Sequence, residues 1–169
     1  MMSNTDEPFF ESGEASDPDP ALDGSALEAR IRRLVEGQSY AVLCTQSQSQ
    51  PYGALVAFAF SEDLKQAVFA TPMATRKFRI LSECNHVALF IDNRPDHTDD
   101  FMKVEAITVT GRAVLLEDAE ESSRWGRRLV SRHPYLRSFV SVPSSALFRV
   151  DVVRFFDVVR FQEVSQWTP

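Results

Sequence analysis

Two hydroxyls and two cations share one seven-residue stretch: Thr71, Thr75, Arg76 and Lys77. The apolar run Ala67 to Ala70 precedes them and reads as a strand end. A short turn follows, and then a helix whose first turn carries Arg76 and Lys77. Cations are disfavoured there, because the first-turn amides lack intrahelical partners and the macrodipole is positive at that end. An anion among these groups removes the conflict. Hydroxyls, free amides, a guanidinium and an ammonium all donate to phosphate oxygens. The alternative reading is a surface helix with its basic residues in water.

Other chemistry is hard to find. The sequence has no GxGxxG after a strand, no P-loop, no G-x-S-x-G elbow and no Cys/His pair at metal-ligand spacing. His97 stands beside Asp96, Asp99 and Asp100, but no ligand spacing is fixed there and a solvated loop is the expected reading. His86 begins a strand, and His133 precedes Pro134 at a helix end where a cation would complement the dipole. Cys44 and Cys84 lie in apolar segments and are expected to be buried, reduced thiols. No catalytic residue is assigned, and no metal is expected.

The elements that must position Thr71 to Lys77 can be read from periodicity. Ser25 and Glu28 form a capping box, Leu27, Ile31, Leu34 and Val35 make one helical face, and Gly37 is a stop. Strands are expected at Tyr40 to Thr45, Gly53 to Phe60, Ala67 to Ala70, His86 to Ile91 and Glu105 to Leu116, with Gln46 to Pro51 as a polar turn. Phe78, Leu81 and Cys84 give the second helix its buried side. Residues 92–103 form a long polar loop. Asp118 and Glu121 open a third helix with an acidic first turn and a basic last turn, the ordinary dipole arrangement. Tyr135 to Val140 adds a helical turn, and Ala146 to Val164 supplies a last strand or pair of strands. Arg149, Arg154 and Arg160 there face outward or reach a neighbouring subunit. Trp167 either packs on something or belongs to a frayed end. The pattern is mainly β with peripheral helices, a small antiparallel barrel of six strands.

Composition narrows the partners. The chain has 169 residues and a formal charge of −6, but seven of its 24 acidic residues precede Gly24, where no basic residue occurs. That leaves 17 acidic against 18 basic residues, a near-neutral body unsuited to a nucleic-acid backbone. Residues 1–24 are expected to be a disordered acidic tail, with Phe9 and Phe10 as an apolar pair. Residues 25–164 form one domain and 165–169 a C-terminal tail. No secretory segment or long apolar span is present, so the expected location is the cytoplasm, away from any membrane.

The strand Ala67 to Thr71, the Thr75-Arg76-Lys77 element, the apolar helix, the strand His86 to Ile91 and the long strand through Val109-Thr110-Gly111-Arg112-Ala113 together resemble the pyridoxamine 5′-phosphate oxidase-like family of FMN-binding split barrels. The likeness covers roughly residues 25–161. It implies that FMN lies along Leu55, Val56, Ala57 and Phe58, is bordered by Ala70 and Thr71, receives hydrogen bonds from Thr71 and Thr75, and has its phosphate held by Arg76 and Lys77. It also implies a homodimer with both cofactor sites at the interface, which the 13 phenylalanines of so short a chain support. Family oxidases carry basic residues where this chain has Leu55 and Phe60, and a glutamine where it has Ala106. These departures point away from vitamin B6 oxidation. The resemblance implies an FMN-dependent oxidoreductase of unknown substrate; a haem-binding or haem-utilisation protein and a non-catalytic flavin module are the alternatives.

Overall fold

A computed structural model describes residues 24–160 and 163–169, so the acidic tail lies outside the described residues except for Gly24, which opens the first helix. In chain order the elements are α1 (Gly24–Gly37), β1 (Tyr40–Ser47), β2 (Gln50–Phe60), β3 (Gln66–Pro72), α2 (Arg76–Glu83), β4 (His86–Asp92), β5 (Ala106–Leu115), α3 (Ala119–Arg132), α4 (Arg137–Val140), β6 (Ser145–Val159) and β7 (Glu163–Trp167). The sheet order is β3-β2-β1-β4-β5-β6-β7, and a further β3–β6 pairing closes the first six strands on themselves. All pairings are antiparallel. The six-stranded barrel expected from the sequence is therefore observed, with one strand added outside it.

Alternation explains the interior. On β5, Ile107, Val109, Gly111 and Ala113 are buried and their neighbours only partly so. Phe58, Phe69, Leu89, Ile91 and Phe155 fill the same core, and α1 adds Leu27, Ile31, Leu34 and Val35. Each such side chain contributes about 1.5–3 kcal/mol, which holds a 14-residue helix that would be marginal alone. The Arg30–Asp157 ion pair ties α1 to β6. One Arg132 amino group donates to the carbonyls of Val35 (2.6 Å) and Gln38 (2.6 Å), so the last turn of α3 closes off the end of α1. A second apolar cluster, outside the barrel, packs Trp125 and Leu129 of α3 on Ala59, Val68 and Leu147.

Several expectations are corrected. The polar stretch Gln46 to Pro51 is a two-residue hairpin turn: Ser47 pairs with Gln50, and Gln48 and Ser49 both have positive φ (51° and 63°). Cys44 is exposed, because Ala41, Leu43 and Thr45 take the inward positions of β1. Cys84 is a half-buried C-cap, and Ile80 joins Leu81 on the buried side of α2. The boundary after residue 164 falls inside β7, whose Trp167 packs against Phe155 at 5.3 Å between ring centroids. Arg149, Arg154 and Arg160 bond to Asp151, Gln166 and Glu163 of their own chain.

Candidate functional site

The barrel opens between β2 and β3. Their pairing consists of Phe58↔Phe69, Ala59↔Val68 and Phe60↔Ala67 only. Beyond Phe69, β3 stays on β6 through Pro72↔Ser145, while β2 stays on β1 from Ala57 back to Gln50. Each strand follows its other neighbour, so the two part. From Gln50 to Ala57 one edge of β2 pairs with no strand among the described residues. Backbone groups on such an edge are free to meet a ligand. Along it Val56 and Phe58 point into the core, Leu55 is two-thirds exposed and Ala57 half-buried.

The far side of the opening is the end of β3 and the start of α2. Thr75 is the N-cap of α2: its side-chain oxygen accepts from the Phe78 amide at 3.2 Å and donates to the Pro72 carbonyl at 2.8 Å. Its only proton is thus committed, so the 3.1 Å contact with Thr71 must be donated by Thr71, which is fully buried. Within the chain these hydroxyls brace the turn that presents the helix. The remaining donors are the first-turn amides of Arg76 and Lys77, which have no intrahelical partner, and the cations.

Those cations are uncommitted. Among the described residues, Arg76, Lys77 and Arg79 form no hydrogen bond or ion pair through their side chains, whereas Arg30, Arg32, Arg33, Arg94, Arg149 and Arg160 each pair with a carboxylate. The Arg76 guanidinium lies 5.3 Å from the ring centre of Tyr52 on β2, spanning the opening. Burial pushes the Lys77 ammonium below its ordinary pKa, the mark of a charge held without a counter-ion. A polar cleft of about 310 Å3 runs beside Arg76 and Arg79, between α2 and the β1–β2 hairpin.

The structure thus brings Thr71, Thr75, Arg76 and Lys77 to one corner, with Ala70 before them on β3 and Leu55 to Phe58 on the strand opposite. Tyr52 and Arg79 were missed in the sequence. Arg79 had a signal, since it follows Lys77 within the same turn. Tyr52 had none, because its role depends on the parting of the strands.

The histidines do other work. His133 is the buried C-cap of α3; its Nε2–H donates to the Phe58 carbonyl at 2.8 Å, anchoring β2 where the strands separate. His86 contacts Arg112 at 2.7 Å. Near His97, Asp96 accepts from Gln38 and Asp100 pairs with Lys103, and no His/Cys/Asp/Glu group among the described residues could hold a metal. No helix among them is long and apolar enough to cross a membrane.

Comparisons with known proteins agree with this fold. None of the curated proteins matches the chain. Among solved structures, a heme binding protein from Mycobacterium smegmatis superposes with a TM-score of 0.71 at 14% identity, over 81% of this chain and 55% of its own. General Stress Protein 26 from Bacillus anthracis gives 0.63 at 18% identity, over 85% and 98%. A FAD-binding protein from Mesorhizobium loti gives 0.61 at 14%, over 75% and 90%. At such identities these likenesses show the fold alone. The family model described as pyridoxamine 5′-phosphate oxidase matches residues 27–159, nearly the whole barrel, and the chain belongs to that family.

Proposed function

We propose that the chain is an FMN-binding flavoprotein, an oxidoreductase acting on a small molecule in the cytoplasm. The observation that carries this reading is the pairing of an unpaired β2 edge with three uncommitted cations across one opening. The residues suit the group. Arg76, Lys77 and the first-turn amides would hold the phosphate. The free edge from Leu55 to Ala57 offers backbone donors and acceptors to a flavin ring, and Ala70 and Thr71 close the other side. FMN supplies hydride and electron transfer when bound; the chain binds, orients and excludes water. No acid or base is required of it.

Homodimerisation belongs to the proposal. Tyr40, Leu55, Phe101 and Met102 are large apolar side chains exposed on the described surface. Tyr40 and Leu55 join Val42 and Phe90 around an outer cavity of about 500 Å3. A patch of this kind, reaching the β2 strand itself, suits a protein–protein contact that completes the cofactor site. The similarity to a heme binding protein supports the haem alternative only at the level of fold, and His133, the one buried histidine, is committed to Phe58.

Titration with FMN and with riboflavin tests the reading. Much tighter binding of FMN supports a phosphate-anchored flavin; equal binding of both, or of neither, contradicts it.

A further inference from the structure

α3 and α4 enclose a groove that the cofactor site does not use. Its volume is about 880 Å3, and its walls include Val130, Val140 and Leu147. Gly126 forms part of it; a Cβ there would lie 3.1 Å from Val140 Cγ1, so the glycine lets α4 lie close against α3. Two arginines line the same groove. Arg127 donates only to Ser123, and Arg137 makes no side-chain hydrogen bond or ion pair among the described residues. An apolar trough with two unneutralised cations calls for an apolar group flanked by acids.

The chain contains such a segment. Phe9 and Phe10 are bracketed by Asp6, Glu7, Glu11 and Glu14, within 23 residues that hold no basic side chain. We propose that this segment docks in cis, with Phe9 and Phe10 in the α3–α4 groove and its carboxylates beside Arg127 and Arg137. The tether is long enough. The residues between Phe10 and the start of α1 at Gly24 span up to roughly 45 Å when extended, against a radius of gyration of about 14 Å for a domain of this size. Charge selects the register: the two phenylalanines are the only aromatic pair in the segment, and acids lie on both sides of them to meet both arginines. Buried aromatic rings supply the affinity and the flanking charges the orientation.

The test uses the full-length chain, as wild type, Phe9→Ala/Phe10→Ala and Arg127→Glu/Arg137→Glu. Amide resonances of Gly126, Val130 and Val140 should shift in both double variants, and cleavage after Glu11 and Glu14 by a glutamyl endoprotease should become several-fold faster. The phenylalanine variant leaves the folded domain untouched, so a folding defect in the arginine variant does not blunt the test. Unchanged resonances and cleavage would overturn the proposal. Shifts that grow with protein concentration would overturn docking in cis and assign the groove to a second copy. Shifts at Arg76 to Arg79 instead would place the acidic segment on the cofactor corner and equally overturn it.

Discussion

Lys77 separates a binding residue from a structural one, because the two roles predict opposite signs. Its ammonium is half-buried with no counter-ion, and desolvation lowers its pKa from 10.5. A lysine whose folded pKa is depressed contributes stability above its unfolded pKa and loses it as the pH falls through the folded value. At neutral pH the charge therefore costs the cofactor-free protein stability. Lys77→Met keeps the aliphatic stem and removes the charge, so the cofactor-free melting temperature should hold or rise. With FMN the effect reverses. A hydrogen bond to a charged group contributes about 1.5–3 kcal/mol, which at about 1.4 kcal/mol per decade is roughly a 10- to 150-fold weaker Kd. Arg76→Ala should cost a similar factor, and the double variant less than the product, since both act on one phosphate. Quenching of flavin fluorescence reads the Kd, with riboflavin as the control that neither variant should affect. Unchanged FMN affinity in Lys77→Met, or a melting temperature several degrees lower without cofactor, would refute the reasoning.

Further outcomes follow from the fold. Thr75→Ala removes the N-cap of α2 and should cost about 1 kcal/mol, a fall of roughly 2–4 °C in melting temperature for a chain of this size, while Thr75→Ser should behave as wild type. Gly111→Ala places a Cβ 2.5 Å from the Asp151 carbonyl oxygen, so urea unfolding should show a loss of about 1–3 kcal/mol. Burial raises the Asp157 pKa above 3.8 despite Arg30. The native state then takes up this proton before the unfolded chain does, so this carboxyl's contribution to stability grows as the pH drops from neutrality toward about 4. Denaturation at pH 7 and pH 4.5 should show wild type gaining relative to Asp157→Asn; a constant difference would refute the assignment.

What could be read in advance depended on whether a feature is local. The α1 face, the Thr75 start of α2, the Asp118 cap that accepts from the Glu121 amide at 2.8 Å, and the alternation of β5 are all set by residues close in sequence, and all are observed. Gln46 to Pro51 reads as a turn, but its two-residue geometry was not legible, because left-handed positions usually carry glycine or asparagine and here Gln48 and Ser49 hold them. Cys44 was misassigned because an apolar run does not say which parity faces inward. Trp167 reads as a tail until its strand partner, 12 residues earlier at Phe155, is known. At the site, the cations were visible as an electrostatic conflict, but the committed hydroxyls of Thr71 and Thr75, the Tyr52 contact and the His133 anchor all arise from the parting of two strands, which no single segment encodes.

The most direct test of the central claim is the visible absorption spectrum of the purified full-length protein, with the mass of any released chromophore. The account predicts a two-banded yellow flavin spectrum and a chromophore with the mass of FMN. A sharp Soret band, or a colourless protein that takes up no added FMN, would contradict it.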